Sequence, residues 1–372
     1  MSKPKQPDGP VLVVNAGSSS IKTALFGSSL RELLRIEATG IGDDEEGRIT
    51  CAGESRDMAL CDHTAALTEI LSAMVAYGVA VGDLSAAAHR VVHGGPDLSR
   101  SLRITPQVRG KIAACIPLAP LHNPHNLAAI DAITAAMPDL PQCASFDTAF
   151  HATNPPVAYR YALPGTPETA GLRRYGFHGI SYGAMVQNWK EVTGAPLPNR
   201  LLAMHLGNGA SLCAIHKGRS VATTMGFSPL GGLTMGTRVG EIDAGAVLHL
   251  ARQIGIDAAE DLLQTRAGLL GLSGISADMR RVQAAATPAA TFARDHVCYW
   301  ITRQAGSMIS AMGGLDGIAF TGGIGENDTA MRKEVLANLL WTGNVPSWVI
   351  PAAEERHIAE QALIALKEAP QP

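Results

Sequence analysis

Two arginines, three glycine-bearing loops and several histidines are the residues of this chain whose types and settings could do chemistry. Arg90 lies in HRVVHGG and Arg238 in MGTRVG, loops rich in Gly, His and Thr rather than charged helix faces. The planar guanidinium fork suits carboxylate and phosphate oxygens, although by residue type alone either arginine could be an ordinary surface or domain-bridging ion pair. Val11–Lys22 (VLVVNAGSSSIK) and Leu201–Ser211 (LLAMHLGNGAS) are each an apolar run of strand length that breaks into a turn of Gly with Ser or Asn. Such turns bring backbone close enough to wrap a phosphate. A third loop, FTGGIGEN from Phe320 to Asn327, follows the apolar run Leu315–Phe320 and offers a nucleotide a further contact. No G-x-x-x-x-G-K-[ST] is present and no G-x-G-x-x-G opens a helix, so P-loop and Rossmann readings lose their main support.

The remaining polar residues are read more cautiously. His178 stands in the tight YGFHGIS loop, where a lone histidine is more often structural than catalytic. His122 and His125 have H-x-x-H spacing in LHNPHN, but Pro124 between them and the lack of a further ligand argue against a metal site. Asp147 closes the strand-like run Gln142–Phe146 and could hold a hard cation or merely cap its loop.

These residues need strands to deliver them. Strand-like and helical runs alternate along the chain, the pattern of an α/β fold; Ala86–Val92 and Gln142–Phe146 read as strands whose ends carry His89, Arg90 and Asp147. Ligands of open α/β sheets sit at such carboxyl ends. Leu67, Ile70, Leu71, Met74 and Val75 repeat with helical spacing, and Ile358, Ala362 and Leu366 define a C-terminal helical stripe. With 372 residues the length predicts about two domains, and 46% hydrophobic and 17% charged residues, 39 Gly and a net charge of −3 describe a globular enzyme rather than a disordered or nucleic-acid-binding chain. No apolar stretch approaches a membrane span, and Met1–Pro10 lacks an apolar export segment, so a protein off the membrane and in the cytoplasm is expected. The six scattered cysteines form no C-x-x-C and predict reduced thiols.

Nine strings, VNAGSSSIK, HRVVHGG, LAPLHNPHN, FDTAFH, RRYGFHGIS, HLGNGAS, MGFSPLGGLTMGTRVGEID, GLLGLSGISADMR and FTGGIGEN, occur in the order seen in the acetate and propionate kinase family of the actin, Hsp70 and sugar-kinase superfamily, and the chain resembles that family over roughly residues 11 to 355. The resemblance implies two actin-like, ribonuclease H-like domains with a duplicated βββαβαβα core around an active-site cleft. The boundary is expected near Phe146–Pro156, where FDTAFHATNPP ends the first strand set and prolines stiffen the crossing, giving domains 1–148 and 149–354, with a C-terminal helix over about 355–370 that could pack back on the first domain. It implies reversible, direct in-line transfer of the ATP γ-phosphoryl group to acetate, giving acetyl phosphate and ADP, with Mg²⁺ or Mn²⁺ and in a homodimer. By resemblance Arg90 and Arg238 hold the carboxylate and the transferring phosphoryl group, and His178 with Arg238 stabilises its charge in the transition state. Asp147 joins them as a catalytic residue and metal candidate, and Asn15 and Glu354 are the metal-site residues. Lys22, His205, Asn208 and Gly209 serve the phosphates, while Asp278, Met279, Arg280, Gly323, Ile324, Gly325 and Asn327 flank the nucleoside. Val92, Leu121, His122, Phe177 and Pro229 line the acid pocket, where a valine at Val92 goes with acetate and a smaller residue with propionate; His125 is structural.

The chain departs from the family pattern in three places. Ala352-Ala353 stands where Thr-Asn is usual, Ala277 stands where Asn is frequent, and the stretch between Asn327 and Glu354 is short. Three alternative readings are a propionate or other short-chain carboxylate kinase, a non-catalytic actin-like ATP-binding protein, and a sugar kinase. The sugar kinase would need a positioned base beside a bulky polar pocket.

Overall fold

Four consecutive aliphatic residues open β1 (Val11–Ala16), which is buried everywhere except at Asn15, as a strand covered on both faces requires. β2 (Ser20–Phe26) and β3 (Glu32–Thr39) continue it as an antiparallel meander, and β4 (Gly47–Cys51) and β5 (Glu54–Met58) extend that edge. Helix α1 (His63–Ala76), capped by the Asp62 carboxylate on Ala65 N, leads to β6 (Ala86–Val91), parallel to β1. The two-residue β7 (Leu102–Arg103) follows. Helix α2 (Asn123–Ala136) then crosses over to β8 (Gln142–Phe146), parallel to β6. The sheet order is β5-β4-β3-β2-β1-β6-β8-β7. The computed structural model describes residues 9–42 and 47–368. Residues 1–8, which carry most of the segment read as lacking an export signal, and 369–370 at the end of the expected C-terminal helix lie outside them.

The second sheet repeats this plan. β9 (Arg200–Leu206), β10 (Ala210–His216) and β11 (Arg219–Thr223) form the meander, and β12 (Gly317–Thr321) and β13 (Ser347–Val349) add in parallel, in the order β11-β10-β9-β12-β13. That is the order of β3-β2-β1-β6-β8, so the α/β, actin-like duplication holds. The chain divides into two compact units, one running to Ala149 and resumed from Ala353, the other Phe150–Ala352. The helices that follow the last core strands are exchanged between the units. Helix α3 (Gly179–Thr193), which comes after β8, packs Tyr182, Met185 and Trp189 on the second sheet; the C-terminal helix Glu354–Lys367, which comes after β13, packs on β6 and β8. Helix α4 (Pro288–Met312), started by Pro288 and capped by Thr287, covers β10.

Local differences from the sequence reading have simple causes. On α1 the buried stripe is His63, Ala66, Leu67, Ile70 and Met74, while Val75 turns outward at 51% exposure, about 100° around the helix from Met74. In the C-terminal helix Ala359 and Ala365 join Ile358 and Ala362 in the buried stripe, and Leu366 is only half-buried. The loop expected after β12 is a short helix, α5 (Gly322–Asn327): Glu326 Oε1 accepts from Gly322 N at 3.1 Å and Asn327 Nδ2 donates to Gly323 O at 2.9 Å, closing the turn with side chains. Among the described residues no helix is long and apolar enough to cross a membrane. All six cysteines are free thiols, and burial pushes Cys143 and Cys213 up to about 12, which leaves them unreactive.

Candidate active site

Parallel pairing of β6 with β8 sets Val91 opposite Phe146, and Asp147 N donates to Val91 O at 3.1 Å just beyond. Arg90 and Asp147 therefore leave neighbouring strand ends side by side. Arg90 Nε donates to Asp147 Oδ1 at 3.1 Å and its NH2 to Oδ2 at 2.7 Å. Asp147 is 2% exposed. Burial works against the charged Arg90, but Asp147 and Glu354 outweigh it and hold the guanidinium above its ordinary pKa. His89 is one residue earlier, so it faces the opposite side of the sheet. There it is buried against Gln142 Oε1 at 2.7 Å, and burial pushes it down to about 4. Of the His-Arg pair at this strand end, only Arg90 reaches the cluster.

Glu354 opens the C-terminal helix behind Ala353, whose backbone is left-handed at φ +43. Burial pushes the Glu354 carboxyl up to about 7; Arg90 opposes this, while Asp147 and Glu355 reinforce it. Two carboxylates around one guanidinium leave the cluster short of positive charge. Oxygen donors with such a deficit fit a small hard divalent cation, which takes one or two carboxylates and fills its other positions with water or phosphate oxygens. Among the described residues no three His, Cys, Asp or Glu side chains gather into an all-protein metal cage. Asn15, half-buried, pairs across the hairpin with the exposed Lys22.

The turn of that first hairpin is closed by Gly17 N on Ser20 O at 2.8 Å. His63 at the start of α1 bonds Gly17 O through Nε2 at 2.7 Å, and His125 stacks on His63 with centroids 4.8 Å apart. Val92, half-buried, directly follows β6, and Leu121 is 48% exposed. His122 is the residue before the first turn of α2, where Asn123 and Asn126 bury their amides against His93, Val92 and Ala16. These asparagines stand inside LHNPHN, beside its two histidines. The available signal was their i, i+3 spacing, which puts two amides on one helix face.

In the second unit the turn between β9 and β10 is Gly207-Asn208-Gly209, closed by Gly207 N on Gly209 O at 3.0 Å. His178 and Arg238 converge on it: a Cβ at Gly209 would stand 3.2 Å from His178 Nε2 and 3.6 Å from Arg238 NH1. A side chain there would crowd His178 and touch Arg238 at ordinary contact distance. His178 is itself left-handed at φ +58, a conformation that β-carbon-bearing residues adopt at a cost. Its Nδ1 is bonded to Ser211 Oγ at 2.9 Å, Ser211 is held in turn by the Tyr182 hydroxyl, and His205 stacks on it with centroids 4.2 Å apart. His205 Nδ1 is bonded to Ser181 Oγ at 2.8 Å. This chain of hydroxyls orients Nε2 of His178 toward Gly209. Arg238 NH1 also donates to Pro229 O at 3.4 Å, and Phe177 is 1% exposed.

Beside this turn opens a pocket of about 740 Å³, within the range of small-molecule sites. Asn208, Asp278, Met279, Arg280, Gly323, Ile324 and Asn327 all line it, whereas Lys22, His205, Gly209 and Gly325 do not. Asp278 accepts from Arg280 NH2 at 2.7 Å and from Arg280 N at 2.9 Å, and these bonds lower its pKa to about 2. Ala277 lines the pocket too, as does Gln283, whose amide donates to Asp328 Oδ2 at 2.7 Å. Gln283 lies just past SADMR and carries no sequence signal of its own.

The profile of the acetokinase family matches residues 10–365. An acetate kinase of Nitrobacter hamburgensis is 40% identical, with 96% of each chain covered. Among solved structures, an acetate kinase of Porphyromonas gingivalis superposes with a TM-score of 0.89 at 35% identity, covering 96% of this chain and 100% of that one. A propionate kinase of Francisella tularensis gives 0.89 at 32% identity, covering 95% and 98%.

Proposed function

Because the chain belongs to the acetokinase family, we propose that it transfers the ATP γ-phosphoryl group reversibly to acetate, giving acetyl phosphate and ADP. An acetate oxygen forms the new bond to Pγ, the bond from Pγ to the β,γ-bridging oxygen breaks, and its electron pair leaves on ADP. Acetate is already ionised at neutral pH, so the step needs no general base. What it needs is positive charge and aligned donors around the phosphoryl oxygens. The observation that carries this reading is the convergence of His178 and Arg238 on the Gly209 turn, next to the pocket that gathers seven of the residues expected to bind nucleotide.

In this scheme Arg90 uses Nε and NH2 on Asp147, leaving NH1 for the acid's carboxylate. His178 and Arg238 donate to the phosphoryl oxygens as charge shifts between them. Val92, Leu121, His122, Phe177 and Pro229 serve the acid, with Val92 against the methyl group. Asp147, Glu354 and Asn15 would hold Mg²⁺ or Mn²⁺, which when bound would draw charge from the phosphates. Lys22 and His205 assist the phosphates. A homodimer in the cytoplasm is the assembly and setting that the family resemblance supports.

The test is capture of acyl phosphate as its hydroxamate, from ATP, Mg²⁺ and a panel of carboxylates. Product with acetate above propionate, and none with hydroxyl acceptors such as glucose, is the expected outcome. A preference for propionate would move the assignment to the other branch of the family. Turnover of sugars alone would overturn it.

A further inference from the structure

Asn126 joins two segments that are far apart in sequence. Its Oδ1 accepts from Val92 N at 3.0 Å and its Nδ2 donates to Ala16 O at 2.8 Å, with the side chain 2% exposed. The partners fix which way the amide faces, since an N–H must meet oxygen and a carbonyl must meet N–H. Ala16 ends β1 immediately before the Gly17–Ser20 turn, and Val92 directly follows β6. Register between β1 and β6 runs from Val11–Ala86 to Val14–His89 and stops there. Beyond that pair the two strand ends diverge, and the Asn126 carboxamide spans the gap.

The flanks have holds of their own. His63 bonds Gly17 O, and Asn123 accepts from His93 N at 3.1 Å and donates to His93 O at 3.0 Å. Loss of Asn126 therefore loosens the spacing between hairpin and loop without releasing either segment.

We propose that Asn126 is a positioning residue that sets the gap between the first phosphate hairpin and Val92. It acts through these two segments on phosphate alignment and on the choice of acid without touching either substrate. The proposal rests on Val92 meeting the acid's methyl group. Two substitutions separate its halves. Asn126→Ala removes both bonds. Asn126→Asp, read at about pH 9 so that its burial-raised carboxyl is ionised, keeps an acceptor for Val92 N but turns an oxygen without a proton toward Ala16 O, so only the hairpin side is lost.

Steady-state kinetics with acetate, propionate and ATP, together with thermal melts, test it in Val92→Ala, Asn126→Ala, the double variant and Asn126→Asp. Opening the pocket with Val92→Ala should raise the propionate-to-acetate ratio of kcat/KM about tenfold. Asn126→Ala should raise it about fivefold, the loss of one well-placed hydrogen bond, and the double variant should exceed Val92→Ala by less than about twofold, as expected when two residues share one effect. Asn126→Asp should leave the ratio near that of the parent while raising KM for ATP about fivefold. A folded Asn126→Ala that slows both acids equally at an unchanged ratio overturns the proposal, because that is what a purely structural residue would do. If Asn126→Ala does not fold, Asn126→Asp decides: an unchanged KM for ATP overturns it. If Val92→Ala leaves the ratio unchanged, the pocket reading fails by itself, and the ATP arm of Asn126→Asp still decides the role of Asn126.

Discussion

The two hairpins share a strand order and differ in how their turns are held. The first, Gly17–Ser20, is gripped from outside by side chains, His63 on Gly17 O and Asn126 on Ala16 O, and its unit also carries the buried Arg90–Asp147–Glu354 charge cluster. The second, Gly207–Gly209, is held by backbone, with Gly236 N donating to Asn208 O at 2.9 Å, and is kept bare so that His178 and Arg238 can approach it. A Cβ on Gly236 would fall 1.8 Å from Asn208 Oδ1 and 3.1 Å from Ala277 O, so a side chain there would displace the Asn208 amide. Duplication supplied one backbone plan twice. One copy became a charged frame, the other an open cradle that His178 and Arg238 approach. Substitutions in the frame should therefore cost stability as well as activity, and those in the cradle activity almost alone.

The largest effect should come from the cradle. Arg238→Ala is expected to lower kcat by about 10³-fold or more with nucleotide affinity and melting temperature nearly unchanged, as for an arginine that acts in the transition state. Loss of ATP affinity at unchanged kcat would make Arg238 a ground-state anchor and blur the contrast between the hairpins.

The frame should respond differently. Asp147→Ala takes from Arg90 the carboxylate it donates to, and removing one partner of a buried pair costs roughly 3 kcal/mol, the low end because Glu354 still faces the guanidinium and the Arg90 side chain keeps 23% exposure. Urea denaturation should show that loss alongside the loss of metal-dependent turnover. An inactive variant of unchanged stability would mean that the pair holds no structure.

A pH titration sharpens the comparison further. His89 is held near 4, below its ordinary 6.5. Above pH 6.5 the folded and unfolded forms are both neutral at this site, so nothing is lost. As pH falls from 6.5 toward 4 the unfolded chain takes up the proton first, and roughly 3 kcal/mol of stability should disappear over that window. His93 and His357 of the same unit are lowered likewise. In His89→Gln the dependence of the urea midpoint on pH should flatten by about one proton's worth; an unaltered slope would show that His89 is not protonated on unfolding there.

The smallest effect belongs to Ala353, left-handed at φ +43 just before Glu354. Alanine tolerates that region poorly and asparagine better, so Ala353→Asn should stabilise the protein by about 1 kcal/mol and leave kcat near the parental value. A destabilised variant would show that the side chain of Asn does not fit beside the charge cluster.

Strands β1, β6, β8, β9 and β12, the two hairpin turns, Arg90 near the end of β6, and Asp147, His178 and Arg238 in loops were legible in the sequence. They are local features: apolar runs of strand length, turns that demand small residues, and chemistry-bearing side chains in Gly-rich settings. The amino-acid order by itself also determined the family, because nine motifs in sequence are a linear property. Tertiary structure decided everything that depends on which face or which neighbour a residue meets. Alternation along β6 sent Arg90 to the cluster and His89 into the core. The exchange of helices between units put Glu354 behind Asp147, and packing there raised its carboxyl to about 7. Asn126 found Ala16 and Val92 only because β1 and β6 end where α2 begins, and no local pattern encodes a meeting of three segments so far apart in the chain.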